Sequence, residues 1–270
     1  MYNKIDWVIQ TNLLNDYSVQ GVWSSAEEYG CGVHEAIIIP FQDELGNEEY
    51  LQSLKTDDRV MIPYGSCKLT RISQQRGWRG NCYNEETFRA NVWNEMRDDM
   101  LNSDASFMQV KDTTEFLKGV DDMEQFFIRP LKDLKQFAGT VTEAFEIRNW
   151  MNSVYSGNFS FSEDTEIAIS PVKKIYSEAR YLIVSGKVVD GSYYRLGKQF
   201  QKHNIKCQDT LNKAQELANK WLPHECCVMD IADTDDGFKV IEFNTINSSG
   251  FYDNDIKKIV QAMTNWAKEL

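Results

Sequence analysis

The chain of 270 residues has no apolar run near the roughly 18 residues that a membrane-crossing helix needs. Its opening, Met-Tyr-Asn-Lys-Ile-Asp-Trp-Val-Ile-Gln, lacks a long apolar core and a small-residue cleavage site, so no signal peptide is expected. Cations are scarce: 29 Lys and Arg stand against 41 Asp and Glu. The formal charge of −12 argues against nucleic acid as a main partner, because phosphate contacts draw on surplus Lys and Arg. A local basic cleft for a nucleotide stays compatible with that balance. Six cysteines (Cys31, Cys67, Cys82, Cys207, Cys226, Cys227) form no Cys-x-x-Cys, and His34, His203 and His224 stand at no metal-ligand spacing. They read as reduced thiols and unassigned histidines, with one of Cys226 and Cys227 a small core residue. No linker rich in Pro, Gly or Ser and no internal repeat divides the chain. What remains is the composition of an ordinary globular protein, long enough for one large or two modest domains.

The most informative stretch runs from Val228 to Tyr252. Val228 to Ala232 reads as a short apolar strand, Asp233-Thr-Asp-Asp-Gly237 as a hairpin turn, and Phe238 to Phe243 as the returning strand. Antiparallel pairing then sets Asp230 beside Glu242, and strand alternation puts Glu242 and Asn244 on one face. Two carboxylates and an amide oxygen, with no His or Cys among them, form a donor set for Mg²⁺ or Mn²⁺. The same residues also suit a solvated strand edge. Asn247-Ser-Ser249-Gly250 follows, rich in donors for phosphate oxygens.

Two other stretches carry candidate chemistry. Gln125 to Pro130 reads as a strand ending in Arg129-Pro130, followed by a basic loop through Lys132 and Lys135 to Gly139. Arg129 suits bidentate contact with phosphate and Lys135 a point charge; a solvated pair at a helix start is the other reading. Lys174 to Tyr194 reads as two strands joined at Ser185-Gly186-Lys187, with Glu178 and Arg180 on one face. That pair fits either a site or a structural ion pair.

Elsewhere, 4–10, 35–41, 59–64, 106–110 and 166–174 read as strands, and Asn12 to Tyr29 as a helix between the first two. This strand–helix–strand order suggests an open parallel sheet, with ligands beyond the strand ends near Pro63-Tyr64-Gly65-Ser66. Glu85 to Met100, capped by Asn84, and 142–155, 210–221 and 253–270 read as helices. Gln74 to Asn84 lacks periodicity and reads as a loop, a candidate substrate lid.

Asp230 with Glu242-x-Asn244-x-x-Asn247 resembles the metal-binding end of the ATP-grasp superfamily, and "IEFNTINSSGFY" resembles the clade named for an arginine and two lysines, frequent in bacteriophage and bacteria. Arg129-Pro130-x-x-Asp133-x-Lys135-x-Phe137-x-Gly139 and Glu178-x-Arg180…Gly186-Lys187 are similar to that clade's signatures; Lys132 is an extra cation. The resemblance implies an α+β fold, with an N-terminal open α/β substrate domain over 1–115 and an ATP-grasp domain over 116–270, its subdomains meeting near 174–175. It implies an ATP-dependent ligase joining a carboxylate to an amine or other nucleophile through an acyl-phosphate, on small-molecule or peptide substrates in a bacterial or phage-infected cytoplasm. Arg180, Arg129 and Asn247 would act in catalysis. Lys135, Lys132, Val172, Glu178, Lys187, Asp230 and Ser249 would bind ATP, and Asp230, Glu242 and Asn244 would hold the metal. Rival expectations are an ATP-binding regulatory protein without turnover and a kinase-like phosphotransferase.

Overall fold

Three sheets account for most of the ordered backbone in the computed structural model, which describes residues 4–12, 18–132, 137–155 and 162–270. The first is parallel, in the order β2-β1-β3, built from β1 (Lys4–Gln10), β2 (Gly32–Ala36) and β3 (Arg59–Tyr64). Helix α1 (Ser18–Glu28) makes the β1–β2 crossover; α2 (Glu48–Leu54) precedes β3 and α3 (Cys67–Gln75) follows it. Parallel strands need such crossovers, and burial on both faces explains the near-continuous apolar runs of β1 and β3. The expected strand at 35–41 is displaced: β2 ends at Ala36, where β1 ends at Gln10; Ile38 bridges Leu45, and its backbone N and O are taken by the Asn12 side chain at 2.9 and 2.8 Å. The side chain of Asn12, not a strand backbone, meets the Ile37-Ile38-Ile39 run, so the ladder stops at Ala36.

The second sheet is antiparallel, ordered β4-β7-β5-β6, from β4 (Ser106–Gln109), β5 (Gln125–Pro130), β6 (Thr140–Glu143) and β7 (Glu166–Pro171). Helix α4 (Ala90–Met96) precedes it, and α5 (Thr113–Phe116) and α6 (Ala144–Tyr155) cover Ile128, Ile167 and Ile169. The expected helix over 85–100 shrinks to α4 and its cap is Arg89, not Asn84. Arg89 is extended because its backbone bridges Lys132, while the Asn84 side chain accepts from Glu86 N in a turn.

The third sheet, order β10-β9-β8-β11-β12, contains β8 (Ser177–Val184), β9 (Lys187–Leu196), β10 (Gln199–Asn204), β11 (Cys227–Thr234) and β12 (Gly237–Thr245). Ser185 and Gly186 both take positive φ (50° and 71°), the conformation of a two-residue hairpin turn joining β8 to β9. Helix α7 (Gln208–Ala218) packs on one face with Met229 and Phe243. Helix α8 (Ile256–Ala267), capped by the Asp255 side chain, packs on the other. Alternation along β11 and the residue before it divides the side chains: Cys226 and Val228 face α8 and the parallel sheet, Cys227 and Met229 face α7. Both cysteines are therefore buried, one on each side. The core shared by Trp7, Ile62, Leu182, Val228, Ile259 and Met263 binds the parallel sheet to the third sheet. Among the described residues, no helix is long and apolar enough to cross a membrane.

Candidate active site

The face that β11 turns towards α8 is apolar at Cys226 and Val228 and becomes polar at Asp230. The register expected from the sequence holds there: Asp230 pairs with Arg180 on one side and Glu242 on the other. After Glu242 the ladder slips, Ile231 pairing with Val240, so Ile241 is a bulge residue beside the polar cluster. Arg180 grips Asp230 with both prongs of its guanidinium, Nε to Oδ1 at 2.8 Å and Nη2 to Oδ2 at 2.7 Å, and donates through Nη1 to Gly250 O at 3.1 Å. Arg129 at the end of β5 meets Glu242 Oε2 at 2.8 Å, and Asn244 Nδ2 donates to Glu242 Oε1 at 2.9 Å. Aromatic rings back both guanidinium groups, Tyr252 at 4.8 Å from Arg180 and Trp93 at 5.1 Å from Arg129.

Burial sets the charges of this row. Burial first, with the like charge of Glu242 added, pushes Asp230 up to about 6 against the pull of Arg180. Burial works the same way on Glu242, but Arg129, the Asn244 amide and Arg180 outweigh it and hold that carboxyl below its usual range. Two acids in register repel one another, and a cation between them would relieve that repulsion.

The row opens into a cleft of about 590 Å³ between the second and third sheets. Phe127, Gly139 and Thr140 line one wall, and Glu178, Tyr194, Arg195, Ile241 and Glu242 the other. Val172 and Lys173, on the connection between the sheets, close one side. Two antiparallel sheets flank the cleft, and arginines and paired acids stand at its edge.

The sequence pattern of the ATP-grasp domain, in family 3 of the clade named for an arginine and two lysines, matches residues 56–263. The chain belongs to this ATP-grasp family. Its fold is also that of solved ATP-grasp structures of low identity. One is the D-alanine–D-alanine ligase from Bacillus anthracis (TM-score 0.59, 11% identity, 99% of this chain and 99% of that one). A second is the ATP-grasp ligase PsnB complexed with a minimal precursor (TM-score 0.56, 11% identity, 99% and 100%). A third is the D-cycloserine synthetase DcsG (TM-score 0.56, 12% identity, 98% and 100%). No curated protein matches the chain by sequence.

Within this ATP-grasp frame the expected site residues separate. Arg180, Arg129, Asp230, Glu242 and Asn244 form the row; Glu178 and Val172 line the cleft. Glu178 does not pair with Arg180; it accepts from Arg195 across the strand at 2.6 Å. Lys135 lies outside the described residues. Lys132 is turned to the N-terminal part, its Nζ 2.7 Å from Glu85. Lys187 starts β9 at the far end of the β8–β9 hairpin, where Val184 is its partner, so the length of β8 separates it from Glu178. Ser249 Oγ is engaged at 2.8 Å with Thr245 O.

Asn247 is corrected most clearly. Its Nδ2 donates to Pro63 O (2.8 Å) and Gly80 O (3.2 Å), and its Oδ1 accepts from Cys82 N (2.7 Å) and Thr245 Oγ1 (3.3 Å). Both amide hydrogens are used, so none is left for an acyl oxygen. The candidate lid is corrected by the same bonds, since Trp78, Cys82 and Tyr83 are buried and the loop is tied down at Gly80 and Cys82. Trp93, Tyr252, Tyr194 and Arg195 join the site without any signal in the sequence. Aromatic residues near a motif carry no local mark of stacking on a distant arginine.

Proposed function

We propose that the chain is an ATP-dependent ligase that activates a carboxylate as an acyl-phosphate and passes it to an amine or another nucleophile. The observation that carries this reading is the row Arg180–Asp230–Glu242–Arg129 at the edge of the inter-sheet cleft. ATP would lie in the cleft, its base against the Val172 connection. Asp230, Glu242 and Asn244 would hold Mg²⁺, an assignment their all-oxygen chemistry fits. The ion, when bound, would screen the phosphate oxygens. Arg129 and Arg180 are fixed in direction by Trp93 and Tyr252, so little reorganisation is needed as charge builds on the transferring phosphoryl group. Residues 1–115 we assign to the substrate side, and the bound precursor of PsnB and the small-molecule reactions named for its other neighbours support a peptide or small-molecule carboxylate.

A candidate-substrate screen that measures ADP and free phosphate tests the reading. A ligase releases both, a kinase-like enzyme releases ADP without phosphate, and a binding protein neither; only the first outcome upholds it.

The cleft wall and the hairpin tip should respond differently to substitution. A Cβ on Gly139 would stand 2.8 Å from Phe127 Cζ, and both residues line the nucleotide side. Gly139→Ala is expected to push that ring into the cleft and raise KM for ATP by about three- to tenfold with kcat less changed, an effect on the order of 1 kcal/mol. Steady-state kinetics over ATP concentration read this directly. Lys187→Ala is expected to leave kcat and KM within about twofold, since an exposed turn residue outside the cleft makes no substrate contact.

A further inference from the structure

At the opposite, apolar end of β11, a second group of ligating side chains stands apart from the nucleotide site. The sulfurs of Cys82 and Cys226 and a ring nitrogen of His224 all lie within 4.8 Å of one another. Cys82 comes from the loop after α3, while His224 and Cys226 lead into β11, so two distant parts of the chain converge. We propose that these three side chains form a structural Zn²⁺ site that fastens the 76–89 loop to the third sheet. Nothing in the sequence announces it, because Cys82 lies far in the chain from His224-x-Cys226 and neither fragment has metal spacing alone.

The donor set decides the ion. Two sulfurs and an imidazole are soft to borderline ligands that select zinc over magnesium, the reverse of the oxygen set around Asp230. Both sulfurs are fully buried, and the half-buried His224 marks the open side. The ligands are also held in place beforehand. Asn247 Oδ1 accepts from Cys82 N at 2.7 Å, and the His224 ring packs edge-on against Trp266 at 6.0 Å. His224 Nδ1 lies 2.9 Å from Cys226 N and 3.2 Å from Cys226 O. Donating from Nδ1–H to Cys226 O leaves Nε2 its lone pair for the ion, whereas the tautomer that accepts from Cys226 N carries its hydrogen on Nε2; zinc binding selects the first. Binding forms two Zn–S bonds and one Zn–N bond and releases the two thiol protons to solvent, with no redox change. The fourth position falls to water, since the Glu225 carboxylate accepts from Trp266 Nε1 at 2.7 Å. Zinc there would anchor a loop that also receives the Asn247 bonds, on the same strand that carries Asp230.

The test uses the full chain, stripped with chelator, kept reduced and titrated with Co²⁺ alone. One equivalent is expected to give sulfur-to-cobalt charge-transfer absorption with intense tetrahedral visible bands, and Zn²⁺ is expected to abolish both one for one. The Asp230 site contains no sulfur and cannot produce that signal, so failure here is distinct from failure of the ligase reading. Cys82→Ser and Cys226→Ser are each expected to lose the charge-transfer band, and Cys207→Ser, at an exposed cysteine, to keep it. Zn²⁺ is expected to raise the Tm of the parent protein by several degrees and not that of Cys226→Ser. Absence of the band in the parent protein overturns the proposal without recourse to any variant. So does a band that survives both serine changes, or a Cys82–Cys226 disulfide in freshly purified protein by thiol titration.

Discussion

Glu242→Gln is expected to lower the rate of ADP formation by at least about a thousandfold, the scale of losing a preorganised charge at a reacting phosphoryl group. The substitution keeps shape and removes charge. It takes one of two facing carboxylates from the proposed cation, and it leaves Arg129 without the anion it holds at 2.8 Å. Uncoupled from Glu242, Arg129 keeps Trp93 beneath it and the Pro130 carbonyl, and neither is an anion. The fold is expected to survive. Glutamine keeps an oxygen that can still accept a hydrogen bond, and the 26% exposure of the Glu242 side chain admits water, so the cost is about 1–3 kcal/mol. That is a minor share of the roughly 5–15 kcal/mol that holds a domain together. Circular dichroism and thermal melting should therefore change little while turnover disappears. Excess Mg²⁺ should restore part of the activity, because Asp230 and Asn244 still offer oxygen. Undiminished turnover in Glu242→Gln would remove the acid pair from the mechanism, and with it the ligase reading.

Local chemistry explains which parts of this fold were legible in the sequence. The hairpin of β11 and β12 was readable because turn residues and apolar alternation agree, and their agreement alone set Asp230 against Glu242. In the parallel sheet the buried runs of β1 and β3 were readable, while β2, with only Ala36 buried, was placed too late at 35–41. Strand β10 was not, since its first five residues are exposed and show no alternation to recognise. Nor was the bulge at Ile241, which depends on how β12 meets β11 and not on any residue of its own. The 76–89 loop misled for a related reason. Trp78, Cys82 and Tyr83 are apolar but not periodic, and lack of periodicity looks like mobility until Gly80 is found pressed on β3. A Cβ at Gly80 would lie 2.5 Å from Met61 O and 2.8 Å from Ile62 Cα, so the loop packs as closely as a strand would. Within the active site, the ATP-grasp motif marked which residues gather. It did not mark which of them spend their hydrogen bonds on each other, and that division separates Asn244 from Asn247.

Asn247→Ala is expected to be the most destabilising single change at the motif and to leave catalysis nearly intact in whatever protein remains folded. Four bonds end on this amide, and their other partners are the backbone of β3, the 76–89 loop and the Thr245 hydroxyl. Asn247 is 2% exposed, so water cannot replace the lost contacts. Alanine would leave Cys82 N–H, Pro63 C=O and Gly80 C=O without this partner. At about 1–3 kcal/mol for each buried group so stranded, and with partial relaxation, the loss is about 3–5 kcal/mol. For a chain of this size that is about a 10 °C fall in Tm. Asn247→Asp is expected to be no better, since a carboxylate would accept from Cys82 N but face two carbonyl oxygens with no hydrogen to give. Calorimetry on the purified variants, paired with kcat measured well below their melting points, separates this from a catalytic role. A lowered Tm with kcat within about threefold of the parent fits a side chain that only joins the parallel sheet to the site. An unchanged Tm with a collapsed kcat would return Asn247 to the reacting centre and make its four bonds incidental.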